Sequence, residues 1–326
     1  MTKLNTIHYP QTKDLNISNE YSLDILKNNE LYLELEMSFL KKYSYSSLKT
    51  FSFNQDGFLS LLLELKNKGD IAISLGETNA VIEAGKLYEK LGFDITWINL
   101  TKEGQVNFEE ISSLEVEFIF ISSYVMDTFI KTDLEKIKKL TGSVLISNGT
   151  VEVNALSDVV YFDPYKLVGF NTSGILLNND LLKKQSIGYV DNVGVYLIFN
   201  ALKNQSFIYT LKNKFKKNLI NLFGEDIYFF VDSDLTFDFT LHFALKGIKA
   251  RELIRTLSLD KILITNGEGC SLGLSQPSKI IQAMGFEEEI SRNGISLSFG
   301  DEINDTNIEK VCKLFYRRYR QIKVLT

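Results

Sequence analysis

Apolar residues along this chain switch repeatedly between helical spacing and short uninterrupted runs. From Glu30 to Lys42 they recur at helical intervals. Phe51, Phe53 and the NQDG at 54–57 mark a short strand and a turn. Phe58 to Lys66 then reads as a helix with Asn54 or Asp56 as its N-cap. Asp70 to Ser74 (DIAIS), bounded by Gly69 and Gly76, is a buried strand. Asn79 to Leu91 is an amphipathic helix that stops at Gly92, and Phe93 to Asn99 is the next strand. The alternation continues with a strand at Glu117 to Ser122, a helix at Thr132 to Leu140 and a strand at Ser143 to Ser147. Two more strands follow at Val159 to Phe162 and Gly174 to Leu177. Strands alternating with helices over this length predict an α/β fold, a mostly parallel sheet with helices on both faces.

After about residue 200 the pattern changes. Helical stretches lead to Asp238 to Lys246 (DFTLHFALK), where Phe239, Leu241, Phe243 and Leu245 alternate as in a half-exposed antiparallel strand. A helix at 249–257, a strand near 261–265, a helix near 277–284, a strand at 294–299 and a C-terminal helix from 304 complete the chain. The expected organisation is a polar N-terminal lead-in over 1–44, a large α/β domain over 45–204 and a smaller α+β domain over 205–326.

Charge and cysteine content narrow the functional classes. The net charge of −5 leaves no basic footprint for nucleic acid, and the KFKK at Lys214 to Lys217 reads as a solvated helix face. Cys270 and Cys312 are the two cysteines of the chain; they form neither a disulfide framework nor a zinc signature and fit a reducing, cytoplasmic setting. The N-terminus lacks the apolar core of a signal peptide, and no apolar run approaches the length of a membrane span.

Three segments, in order, resemble the class V aminotransferase and cysteine desulfurase family. The first is Asn79 to Phe108, a helix beginning with an AV pair followed by a GF strand and a G-x-V hairpin. The second is Ser157 to Leu177 (SDVVYFDPYKLVGFNTSGILL), similar to the family's strand carrying an S-x-H-K motif. The third is Ile264 to Gly300, similar to its SGSAC-S-x-G…EPS-x-VL-x-ALG…IR-x-SLG run. The resemblance spans residues 50 to 320 and implies the fold-type I architecture of the pyridoxal 5'-phosphate (PLP) enzymes. It puts Lys166 on the lysine that holds PLP and Cys270 on the catalytic cysteine, which in a Gly-rich loop could meet a substrate sulfur.

The same resemblance assigns the remaining site positions and exposes departures from the family pattern. Asn148, in ISNGTV, stands where the family has the aspartate that pairs with the pyridine nitrogen. Thr78 or its neighbour stands for the ring-stacking histidine, and Gln55, Asp56 and Gly57 for the phosphate-binding turn. Asp163 replaces the serine that opens the lysine motif, YVMDTF at 124–129 lacks the family's asparagines, and Ser296 replaces the arginine that binds the substrate carboxylate. Arg292, close by in sequence, is the candidate substitute. The segment after the lysine strand, Lys183 to Val195, is short for a loop that crosses a dimer interface. The resemblance therefore implies a homodimeric PLP protein acting on cysteine or another amino acid with weak or lost activity. The alternative is a non-catalytic relative that serves as a binding or partner subunit, with a sulfur-transfer protein as its partner.

Overall fold

A computed structural model describes residues 1–7, 30–169, 172–182, 191–268, 276–300, 303 and 307–325. Its centre is a seven-stranded sheet of strands β2 (Ser47–Ser52), β3 (Ile71–Ser74), β4 (Thr96–Ile98), β5 (Phe118–Phe120), β6 (Val144–Asn148), β7 (Val159–Phe162) and β8 (Ser173–Asn178). Their spatial order is β2-β8-β7-β6-β5-β3-β4. From β7 to β4 the strands run parallel, and β8 is antiparallel to both its neighbours. The chain moves outward from β3 to β4, then crosses to β5 on the other side of β3. The carboxyl ends of β3 and β5 therefore border a topological switch point, where sheets of this kind form a crevice.

Alternate side chains serve two helical layers, which is why these strands read as continuous apolar runs. Ile71, Ile73, Phe118, Phe120, Tyr161 and Leu176 pack with helices α2 (Gln55–Leu65) and α3 (Asn79–Lys90). On the opposite face Ala72, Ile119 and Leu145 meet α5 (Leu134–Thr141), which follows the short helix α4 (Phe108–Ser112). There too Val160, Phe162, Ile175 and Leu177 meet helix α1 (Glu30–Tyr43) and α7 (Asn192–Asn204).

The N-cap of α2 is Asn54, whose Oδ1 accepts the Gly57 N–H at 2.9 Å. Asn54→Ala should lower stability by about 1 kcal/mol, the usual cost of a lost cap. Urea unfolding checks it, and an unchanged midpoint would remove the cap from the account.

The smaller domain holds a three-stranded antiparallel sheet of β9 (Ile227–Tyr228), β10 (Thr240–Leu245) and β12 (Gly294–Ser298), with β10 in the middle. Leu241, Phe243 and Leu245 enter a core with Phe215 and Leu219 of α8 (Lys212–Phe223) and Leu253 and Leu257 of α9 (Ala250–Leu259). Phe315 and Tyr319 of α12 (Ile308–Leu325) close it. The sequence predicts β10 to be half exposed; all six of its residues are buried. Its second face is covered because Ala244 joins Phe230, Tyr124, Phe129 and Ile130 in an apolar cluster that links the two domains.

The first residues differ from the expected lead-in. Thr2–Lys3 (β1) pair in parallel with β11 (Ile262–Leu263), Leu4 is fully buried in the small-domain core, and Ile7 N–H donates to Ser298 Oγ at 2.9 Å. Leu4 thus joins the core around β10, while Leu35 and Phe39 of α1 pack against the seven-stranded sheet. Among the described residues no helix is long and apolar enough to cross a membrane.

Candidate active site

The carboxyl ends of β3, β5, β6 and β7 converge on one buried polar cluster. Past β7, Asp163 caps the short helix α6 (Pro164–Val168): its Oδ1 accepts the Lys166 N–H at 3.2 Å, Pro164 occupies the first turn, and Gly169 closes the helix at φ +88°. An Asp-Pro start and a glycine stop are the local signals for such a helix, and the sequence reading passed over both. This turn directs Lys166 back into the protein, where its side chain is only 7% exposed.

The Lys166 ammonium hydrogen-bonds Glu268 Oε1 and lies 3.8 Å from Asp163 Oδ2. Burial works against a charged amine, but Glu268 first and Asp163 next outweigh it and hold Lys166 protonated well beyond its ordinary range. Burial raises the Asp163 carboxyl despite the nearby lysine.

Glu268 comes from the smaller domain and is fixed at several points. Its N–H donates to Asp127 Oδ1 at 2.6 Å, and its Oε2 accepts the Asn79 N–H at 3.4 Å. Ser278 Oγ donates to Asp127 Oδ2 at 2.7 Å. Gly267, at φ +88°, lies so close to Asp127 that a Cβ there would stand 2.0 Å from Oδ1, so this approach requires glycine. Burial, with the Glu268 charge second, pushes the Asp127 carboxyl up to about 6.

Glu77 forms the second half of the cluster. Its Oε1 accepts the Ser122 hydroxyl at 2.5 Å and its Oε2 accepts the Tyr161 hydroxyl. Burial raises this carboxyl, and the two hydroxyls only partly oppose the rise. Ser122 Oγ in turn accepts the Asn148 N–H at 2.9 Å, and Asn148 Oδ1 accepts the Thr150 N–H at 2.9 Å. That leaves Asn148 Nδ2, Thr78 Oγ1 and the Tyr124 hydroxyl buried with no hydrogen-bond partner among the described residues. Tyr124 is within electrostatic reach of Lys166, Glu268, Glu77 and Asp163. Buried polar atoms without partners are uncommon, and a cluster of them beside a buried lysine marks a place for a polar ligand. A cleft of about 650 Å³ opens alongside, lined by Glu77, Asn79, Asp127 and Glu268 and by Lys279 and Ile280 of α10 (Lys279–Ala283).

The structure brings together Lys166, Asp163, Asn148 and Thr78 from the sequence-based set. Phe53 and Phe58, flanking the turn that holds Gln55, Asp56 and Gly57, pack tilted and edge-on against Tyr161, with ring centroids 6.0 and 5.1 Å away, which sets that turn beside β7. Cys270 lies outside the described residues. Ser296 is fully buried and donates to the Asp127 carbonyl at 2.9 Å, so it ties β12 to the 124–129 segment. Arg292 turns to Glu288 one helical turn back, at the end of α11 (Glu288–Ser291), and borders a small groove with Lys249, Arg251 and Gln276, the last of which also lines the cleft. Glu77, Asp127 and Glu268 were missed altogether. Their only sequence signal is their position beside Thr78, within YVMDTF and two residues before Cys270.

No family model matches the chain. It is similar to the cysteine desulfurase IscS of Buchnera aphidicola subsp. Baizongia pistaciae, 20% identical over 298 residues that cover 80% of this chain and 73% of that protein. The corresponding protein of Pseudomonas syringae pv. tomato is 24% identical over 283 residues, covering 74% and 69%. Among solved structures, a NifS-like protein superposes with a TM-score of 0.72 at 16% identity, covering 89% of this chain and 87% of that one. The apo cysteine desulfurase of Thermococcus onnurineus NA1 gives 0.69 at 14% identity, covering 89% and 84%. The fold is fold type I, and the chain is cysteine desulfurase-like in both sequence and architecture.

Proposed function

We propose that this chain is a divergent PLP-binding relative of the cysteine desulfurases whose activity on free cysteine is weak or lost. The observation that carries the reading is Lys166: a buried lysine amine just past the carboxyl end of β7, at the centre of a polar cluster, but committed to carboxylates. One end of the site suits PLP. Lys166 offers the amine, Asn148 Nδ2 offers a buried donor for an unprotonated ring nitrogen, and Thr78 supplies a small polar face. The phosphate end is poorer. Asn54 already takes the Gly57 N–H, and Asp56 and Asp163 add negative charge. Each missing charge-assisted contact costs about 1.5–3 kcal/mol, so two of them weaken binding by about two orders of magnitude or more.

PLP, when bound, supplies an electron sink for the substrate's α-carbon. The chain's own groups serve that chemistry badly. Asn148 can hydrogen-bond the ring nitrogen but brings no charge to keep it protonated. The Ser296 hydroxyl is spent on the Asp127 carbonyl and holds no carboxylate. Arg292 is paired with Glu288. Lys166 must shed a firmly held proton before its nitrogen can act as a base or a nucleophile. These deficits act on one transition state and compound.

The test is sulfide release from L-cysteine with added PLP and a thiol reductant, with Cys270→Ser as control. Release at the level of that control is expected. Robust turnover that depends on Cys270 would return the protein to the working desulfurases. The second reading, a non-catalytic partner subunit, is favoured by the same closed lysine. It gains if the protein also takes up no PLP in a dialysis or absorbance experiment. In either reading we take the protein to be a cytoplasmic homodimer that engages a sulfur-transfer protein.

A further inference from the structure

Aligned by its cysteine, the SGSAC run of the resemblance reads NGEGC at 266–270 here, so Glu268 stands where a serine is expected. A serine side chain ends near the backbone; a glutamate reaches several ångströms further. In this structure that extra reach ends on the Lys166 amine. The glutamate does not arrive by chance of rotamer. Its N–H is held by Asp127, its second carboxylate oxygen accepts the Asn79 N–H at the start of α3, and Gly267 permits the close backbone approach that sets its direction. It touches both the amine and the cleft: Glu268 hydrogen-bonds Lys166 and lines the cleft.

We propose that Glu268 is a carboxylate plug over Lys166: it keeps the amine as an ammonium and fills the space that a carbonyl carbon must enter to condense with it. The inference rests on the reading of Lys166 as the aldehyde-binding lysine. Condensation requires the ammonium to lose a proton to solvent or a nearby base. The nitrogen lone pair then forms the C–N bond, and the carbonyl oxygen leaves as water when the carbinolamine collapses to the imine. With Glu268 in place the first of these events is opposed by an ion pair and the second by occupied space. The plug therefore controls whether PLP, or any aldehyde small enough for the cleft, is captured at all. It lifts only when Glu268 is neutralised or its side chain is replaced.

The experiment compares the full-length wild type with Glu268→Ala and Glu268→Gln, and uses Lys166→Ala as the blank. Each protein is incubated with PLP and, in a separate arm, with pyridoxal. Samples are reduced over time with borohydride, whose hydride converts the imine to a stable secondary amine, and the Lys166-containing peptide is quantified by mass spectrometry. Glu268→Ala should capture either aldehyde at Lys166 at least about tenfold faster than the wild type, since each pKa unit by which the amine is released multiplies its neutral fraction about tenfold. Glu268→Gln removes the charge but keeps the bulk, and should fall between the two. It decides the matter if the alanine variant proves unfolded by circular dichroism. Equal rates at Lys166 in the wild type and in whichever folded variant is measured would overturn the plug while leaving the lysine's role intact. Modification confined to other lysines in every protein would overturn the reading of Lys166, and the plug with it.

Discussion

Urea unfolding of Lys166→Met should show a loss of about 3–5 kcal/mol at pH 8, the typical cost of removing one partner from a buried ion pair. The same variant should capture no PLP. Methionine keeps most of the buried stem, so the loss is one of charge rather than of volume. What remains is Asp163, with a 9% exposed side chain, and Glu268, with 18%, facing each other without a cation. Burial already raises Asp163 in the presence of the lysine, and removing the lysine raises it further. A carboxyl whose folded pKa lies above its unfolded value is penalised once the pH passes the unfolded value, and the full penalty is reached above the folded one. The deficit of the variant should therefore shrink as the pH falls from 8 to 5 and nearly vanish by about pH 4, near the ordinary carboxyl range. A loss of equal size at both pH values would mean that Lys166 contributes through packing and not through charge.

That dependence on distant partners explains what the sequence could and could not convey. Strand β7 was legible to the residue, Val159 to Phe162, because a strand buried on both faces is a bare apolar run. Helix α3 was legible because its apolar stripe and Gly92 are local features. The burial of β10 was not, since the alternation in DFTLHFALK describes one face only and says nothing about a second domain arriving to cover Thr240, His242 and Ala244. The active site divides in the same way. Lys166 stood out in the sequence because a family-like motif surrounds it. Glu268, 102 residues away from Lys166, and Asp127, 141 residues before Glu268, act through contacts that no local pattern encodes. Arg292, offered as a carboxylate clamp for its place near Ser296, is paired with Glu288, a partner one turn away that the sequence does not single out.

Asp127 joins the segment after β5 to Glu268 and Ser278 through polar contacts, and replacing it should be costly in a graded way. Asp127 sits at φ +61°, a left-handed conformation that aspartate and asparagine tolerate better than alanine does. Its two carboxylate oxygens serve the Glu268 N–H and the Ser278 hydroxyl, both contributed by the smaller domain. Asp127→Ala strands these donors and strains the backbone. At about 1–3 kcal/mol for each buried group left unsatisfied, set against relief from burying a carboxylate, a net loss of about 2–4 kcal/mol follows. Asp127→Asn keeps the backbone preference and one acceptor, and should cost about 1–2 kcal/mol. The pH dependence separates charge from geometry. Because burial pushes this carboxyl up to about 6, its contribution to wild-type stability is fullest in acid and declines as the pH rises through that value. Asparagine does not titrate, so the gap between wild type and Asp127→Asn should be wider at pH 5 than at pH 8. A gap that is the same at both would show that the carboxyl is not titrating in the folded protein, and an asparagine variant as damaged as the alanine one would show that the backbone preference and the kept acceptor contribute nothing. The alanine variant has a second signature. With Asp127 gone the Glu268 N–H loses its anchor, so the carboxylate over Lys166 is held less firmly, and borohydride trapping of PLP at Lys166 should speed up although the protein as a whole is less stable.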